Sequence, residues 1–170
     1  MKSLIITFLF ISSISFAQTF PQSHEGIWKG ELNIYTAQSD QPVQTLEMQL
    51  KIFPIDDKTW SWEIGYLIGD GDIRKYELKP VNSEKNEWQI DEKNGIVLFQ
   101  MLLGNRLVGS FSIENSLIIN SYEFNQDNIL VEFYSTQLKS EDKTGKGTED
   151  SPFVLNHKVG NYQKAVLKKQ

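Results

Sequence analysis

Cysteine is absent from this chain of 170 residues, and only two histidines occur in it. Without thiols there is no disulfide, no thiolate nucleophile, no thiol metal site and no lipid attachment through sulfur. An exported protein so built is held by its core alone. His24 and His157 stand most of the chain apart, without metal-ligand spacing, and read as two surface histidines rather than a zinc site. Basic residues are in the minority, 17 Lys and Arg against 22 Asp and Glu, for a net charge of −5. That balance argues against nucleic acid, whose binders gather Lys and Arg on one face, and against anionic membrane surfaces. The single basic cluster, Lys164, Lys168 and Lys169, reads as a solvated strand edge.

Catalytic signatures are missing too. There is no Gly-x-Ser-x-Gly elbow, no His-Glu-x-x-His helix and no Gly-rich phosphate loop. Asp70-Gly71-Asp72 sets two carboxylates around a glycine but lacks the further ligands of a calcium loop. It reads, like Asp56-Asp57, as a tight acidic turn. No carboxylate pair is visible for general acid and base work. The expectation is therefore a protein that is not an enzyme, with no metal and no catalytic residue.

One apolar run exists, from Leu4 to Phe16, relieved only by Thr7 and a few serines. Met1-Lys2 before it and Ser15-Phe16-Ala17 at its end complete the pattern of a secretory signal peptide over residues 1–17, with cleavage expected after Ala17. The run is too short for the roughly 20 residues of a spanning helix, and no later stretch is long enough. The expectation is a soluble exported protein, periplasmic or secreted, beginning at Gln18. Residues 18–170 are the size of one domain.

What the chain does have is aromatic residues, 4 Trp, 6 Tyr and 10 Phe, set in segments that alternate with period two. Candidate strands fall at 27–36, 44–53, 59–67, 73–80, 87–91, 96–103, 106–113, 116–124, 129–136 and 159–168, with no helical period between them. Turn chemistry separates them: Ser39-Asp40-Gln41-Pro42, Lys93-Asn94-Gly95, Gly104-Asn105, Glu114-Asn115 and Asn125-Gln126-Asp127-Asn128. Pro54 is expected to end the second strand. Connections this short join antiparallel neighbours. A sequential meander without a long crossing predicts an all-β antiparallel barrel of eight to ten strands, since closure removes exposed edges. Residues 137–152, rich in charge and glycine, are expected to form a mobile polar loop before the last strand returns to pair with the first.

Alternation also assigns faces. Leu46, Met48, Leu50 and Ile52 share one face of their strand, and Trp60, Trp62, Ile64 and Tyr66 share one face of the next. The stretch Ile96 to Leu103 is apolar on both faces except at Gln100 and is expected to be covered on both sides. Trp60, Trp62, Tyr66, Trp88, Tyr122 and Tyr134 are candidate ligand-binding residues, because large flat side chains with polar tips hold apolar ligands and fix their orientation. The alternative is that these rings simply fill the interior.

Gly26-Ile27-Trp28 opens the first strand, Trp28-Lys29-Gly30-Glu31-Leu32-Asn33-Ile34-Tyr35. A Gly-x-Trp at this place, followed by a meander, resembles the lipocalins and other calycin barrels. The resemblance implies that Gly26 and Trp28 form the barrel floor, and that a basic residue of the last strand, Lys164 or Lys168, packs across the indole. The missing cysteines and the lack of a helix before the final strand depart from typical members and point to a compact bacterial one. The nitrobindin type is also similar, and would imply haem bound through His157. The leading expectation is an exported lipocalin-like protein that binds a small apolar or amphipathic molecule, as a monomer and without a cofactor. The alternatives are the haem reading and a non-catalytic envelope interaction or structural module working through its loops.

Overall fold

Nearly every short alternating segment becomes a strand, and the strands close on themselves. A computed structural model describes residues 20–67 and 71–170. The expected signal peptide, its cleavage point and Asp70 lie outside the described residues. The strands are β1 Gly26–Thr36, β2 Gln44–Ile52, β3 Pro54–Asp56, β4 Thr59–Leu67, β5 Asp72–Asn82, β6 Glu87–Asp91, β7 Val97–Leu103, β8 Arg106–Ile113, β9 Ser116–Phe124, β10 Asn128–Gln137, β11 Asp142–Thr144, β12 Val154–Asn156 and β13 Val159–Lys169. The only helical turns among the described residues are two short 3-10 segments, Gln22–His24 and Ser83–Lys85.

All pairings are antiparallel. The order runs β2-β1-β13-β10-β9-β8-β7-β6-β5-β4, and β2 pairs back onto β4 from Glu47 opposite Leu67 to Lys51 opposite Glu63. Ten strands thus form a closed ring with no exposed edge, the arrangement that spares a meander from edge-to-edge association. Pro54 does not merely end a strand: it opens β3, a three-residue strip against the start of β4. Proline is tolerated there because the strip is an edge and needs no ladder donor.

Inward-facing side chains come from alternate residues of every strand. Trp28, Leu50, Ile52, Trp62, Leu78, Leu107, Ile129 and Leu167 have essentially no solvent exposure. Edge-on ring contacts knit this half of the interior: Trp62 meets Tyr122 at 5.0 Å between centroids and Phe124 at 6.3 Å, and Trp60 meets Trp88 at 6.2 Å. Phe20 of the N-terminal arm lies 5.1 Å from Trp88 and 4.8 Å from Phe124. Such contacts add about 0.5–1.5 kcal/mol each beyond area burial.

One expectation is corrected by this architecture. The outer face of β7 is not covered: Val97, Phe99, Met101 and Leu103 are 41%, 71%, 40% and 59% exposed. A single closed sheet has only one covered face, and among the described residues these outward side chains of β7 remain exposed. Residues 137–152, expected to form a polar loop, contain β11 and lead into β12. Lys143 pairs with Leu155 in a small ribbon of β11 and β12, and Thr148 bridges Ser151 at its tip.

Candidate functional site

The two ends of the barrel differ. At one end the chain plugs itself. Gly26 has φ 141°, which turns the arm beneath β1, and a side chain there would collide with Lys169 at 2.8 Å. Trp28 is 1% exposed and donates from Nε1 to the carbonyl oxygen of His24 at 2.9 Å. Lys169 Nζ stands 5.5 Å from the indole centroid. The basic residue across the tryptophan is therefore Lys169, not Lys164 or Lys168. Trp28 lies directly opposite Lys169 in the β1–β13 register, and Lys168 lies opposite Lys29. His24 is also corrected from a surface residue: it is half-buried, with its ring 4.9 Å from Phe124 and Nε2 3.3 Å from the Asn125 carbonyl oxygen. Burial lowers its pKa; the Asn125 contact opposes that shift and Lys169 adds to it.

At the other end the barrel encloses a cavity of about 270 Å³. It is lined from the late residues of β4, β6, β8 and β10 and the early ones of β5, β7, β9 and β13. Antiparallel alternation puts all of those ends on one side, away from Trp28. Ile64, Ile90, Asn120 and Tyr122 are its buried members. Tyr66, Tyr76, Leu98, Phe111, Ile118 and Phe133 are half-buried. Arg74, Glu92, Ser135, Asn161 and Gln163 complete the lining with polar groups.

The polar groups are already organised. Arg74 reaches Asp72 Oδ2 from both Nε, at 2.9 Å, and Nη2, at 2.8 Å, while its guanidinium lies 5.1 Å from the Tyr66 ring centroid. Asn120 and Gln100 join amide to amide: Asn120 Nδ2 donates to Gln100 Oε1 at 2.9 Å, and Gln100 Nε2 to Asn120 Oδ1 at 3.5 Å. Burial raises the pKa of Tyr66, with Arg74 pulling the other way. Burial likewise raises Tyr122, so it is a neutral phenol. Burial and then Glu92 raise Tyr76. Trp62 Nε1 has no acceptor within hydrogen-bonding geometry, although the Tyr122 hydroxyl lies close enough to feel it.

The six candidate ligand-binding aromatics separate by height. Tyr66 and Tyr122 line the cavity. Tyr134 reaches only its rim, because Phe133 and Ser135 take the inward positions of β10 and the Tyr134 ring stacks on Tyr162 at 4.8 Å. Trp60, Trp62 and Trp88 belong to the packed core instead and do not line this cavity. His157 is exposed, with Nδ1 3.0 Å from the Gln137 carbonyl oxygen, and is not a lining residue of this cavity. Among the described residues no group of three or more His, Cys, Asp or Glu is placed to hold a metal ion. Asp72 is engaged with Arg74.

Sequence reasoning missed Arg74, Tyr76, Glu92, Asn120 and Gln163. The signal for Asn120 was present: it interrupts the otherwise apolar inward series Ile118, Tyr122 and Phe124. A lone amide among inward-facing apolar residues marks a polar contact inside the barrel. No family model matches the chain, and no curated protein is similar enough to it to count as a match.

Proposed function

We propose that this chain is an exported, non-catalytic calycin-type barrel of lipocalin-like build that holds one small apolar or amphipathic molecule in its open end. The observation that carries the reading is the cavity, lined mostly by apolar and aromatic side chains with six polar or charged residues among them. This is the usual composition of a site for a small organic ligand. Its 270 Å³ is slightly under the 300–1,000 Å³ range of common ligand sites, which favours a molecule smaller than a drug. The cationic cover of Trp28 by Lys169 supports the calycin comparison, because both groups lie where that barrel type seals its floor.

The test is saturable binding. Titrating the protein with small alkanols and phenols, followed by intrinsic Trp and Tyr fluorescence, should give a saturable response, and native mass spectrometry should detect co-purified ligand. Ile118→Trp fills the cavity from its wall and should abolish the response while the far-ultraviolet circular dichroism is kept. No saturable response and no co-purified species would overturn the reading.

A second reading, an envelope interaction module, draws on a separate observation. Phe153, Val154 and Leu155 of the ribbon are 55%, 50% and 54% exposed, an apolar strip of the kind interaction surfaces use. On that reading, crosslinking in envelope extracts recovers a partner that is lost in the double variant Phe153→Ser with Leu155→Ser.

A further inference from the structure

Every fixed charge at the cavity sits at its outer end. Arg74 leaves about half of its side chain exposed and is held at two contacts by Asp72, so its guanidinium is already neutralised by a carboxylate and occupied on one face by the Tyr66 ring. An incoming carboxylate would have to compete with Asp72 and would meet Glu92, also in the lining. Deeper, where Asn120 and Tyr122 are 4% and 2% exposed, no carboxyl or basic group lines the cavity among the described residues. A carboxylate or ammonium pushed to that depth would lose its hydration without gaining a counter-ion, which is strongly unfavourable.

Neutral hydrogen-bonding capacity is available there. An Asn amide carries two N–H donors and two acceptor lone pairs, and the contact with Gln100 uses one of each. Tyr122 adds a phenol. We infer, on the premise that the cavity is the binding site, that its ligand enters with an uncharged hydroxyl or phenol foremost, taken up beside Asn120 and Tyr122, and that any charged group of the ligand stays at the mouth. The Gln100 contact fixes the Asn120 amide in place, so the spare donor and acceptor are preorganised rather than ordered on binding.

Matched probes test this. Calorimetric titration near neutral pH with 1-octanol, octanoate and octylamine, and with 4-ethylphenol against 4-ethylbenzoate, should show the alcohol and the phenol binding about tenfold or more tighter than their charged counterparts. Octanoate should gain affinity as the pH falls through its own pKa, because the neutral acid can enter. Tyr122→Phe, which keeps the ring packing, should reduce the preference for hydroxyl over charged probes while leaving the thermal midpoint close to the parent's. Equal or tighter binding of octanoate near neutral pH overturns the inference and leaves the cavity as a binding site. Failure of all five probes to bind overturns both.

Discussion

Gln100 on β7 and Asn120 on β9 pair amide to amide across the intervening strand, and Gly109 on β8 is the residue between them. A Cβ at position 109 would lie 2.2 Å from Gln100 Nε2 and 2.4 Å from Asn120 Oδ1. The glycine is therefore the condition for the contact. Both amides are buried, so breaking the pair leaves desolvated groups unsatisfied, at about 1–3 kcal/mol. Gly109→Ala should destabilise the protein by about that much in urea unfolding. The double variant Gln100→Leu with Asn120→Leu should cost less than the two single variants added, because it removes both partners at once.

Trp28 is predicted to be a stability residue rather than a binding one. It lies at the opposite end from the cavity, is 1% exposed and is held by His24 and Lys169. Trp28→Ala should cost about 3–5 kcal/mol of unfolding free energy. Probe affinity in the remaining folded protein should be unchanged. Lys169→Met should cost far less, about 0.5–1 kcal/mol, as befits one exposed cation–π contact.

Much of the barrel was legible because each strand declares itself. Alternation and turn chemistry placed all ten ring strands, from the Lys93-Asn94-Gly95 turn between β6 and β7 to Glu114-Asn115 between β8 and β9. Parity also put Trp60, Trp62 and Tyr66 on one inward face. Height was not legible. How far up the axis an inward residue sits depends on the stagger of each strand against its neighbours, a property of the closed sheet and not of one segment. Hence Trp62 and Tyr66, four residues apart on β4, fall respectively in the packed core and at the cavity. Arg74 and Gln163 were invisible for the same reason, since polar residues near strand ends look solvated until the ring is closed.

The outer stripe of β7 shows where local pattern misleads. A segment apolar on both faces usually lies between two layers, but Phe99 projects outward from a one-layer barrel and is 71% exposed. Phe99→Ser should change stability by no more than about 0.5 kcal/mol, the normal range for a surface site. It should also lower any concentration-dependent association seen by analytical ultracentrifugation. A loss of several kcal/mol would mean that this face is packed after all.

His24 supplies a pH dependence with a definite sign. Burial disfavours its charged form, Lys169 reinforces that, and the Asn125 carbonyl only partly offsets it, so the folded pKa lies below the ordinary 6.5. In the interval between the folded and unfolded values the unfolded chain binds more protons than the folded one. Stability therefore rises with pH across that interval. The contribution of neutral His24 is fully present above about pH 6.5 and is lost as the pH falls through the folded value. The ring's surroundings give the loss a structural site, since a cation there would press on Phe124, and the backbone carbonyl of His24 itself accepts from Trp28. His24→Gln keeps a polar side chain but cannot titrate. The urea midpoint of the parent should fall between about pH 7.5 and pH 5, whereas that of His24→Gln should fall less. Equal slopes in the two proteins would remove His24 as the source; Glu77 and Asp91, whose pKa values are depressed by their lysine and backbone contacts, do not titrate in that interval. Their contribution is lost only at lower pH, as those groups protonate below the ordinary carboxylate range.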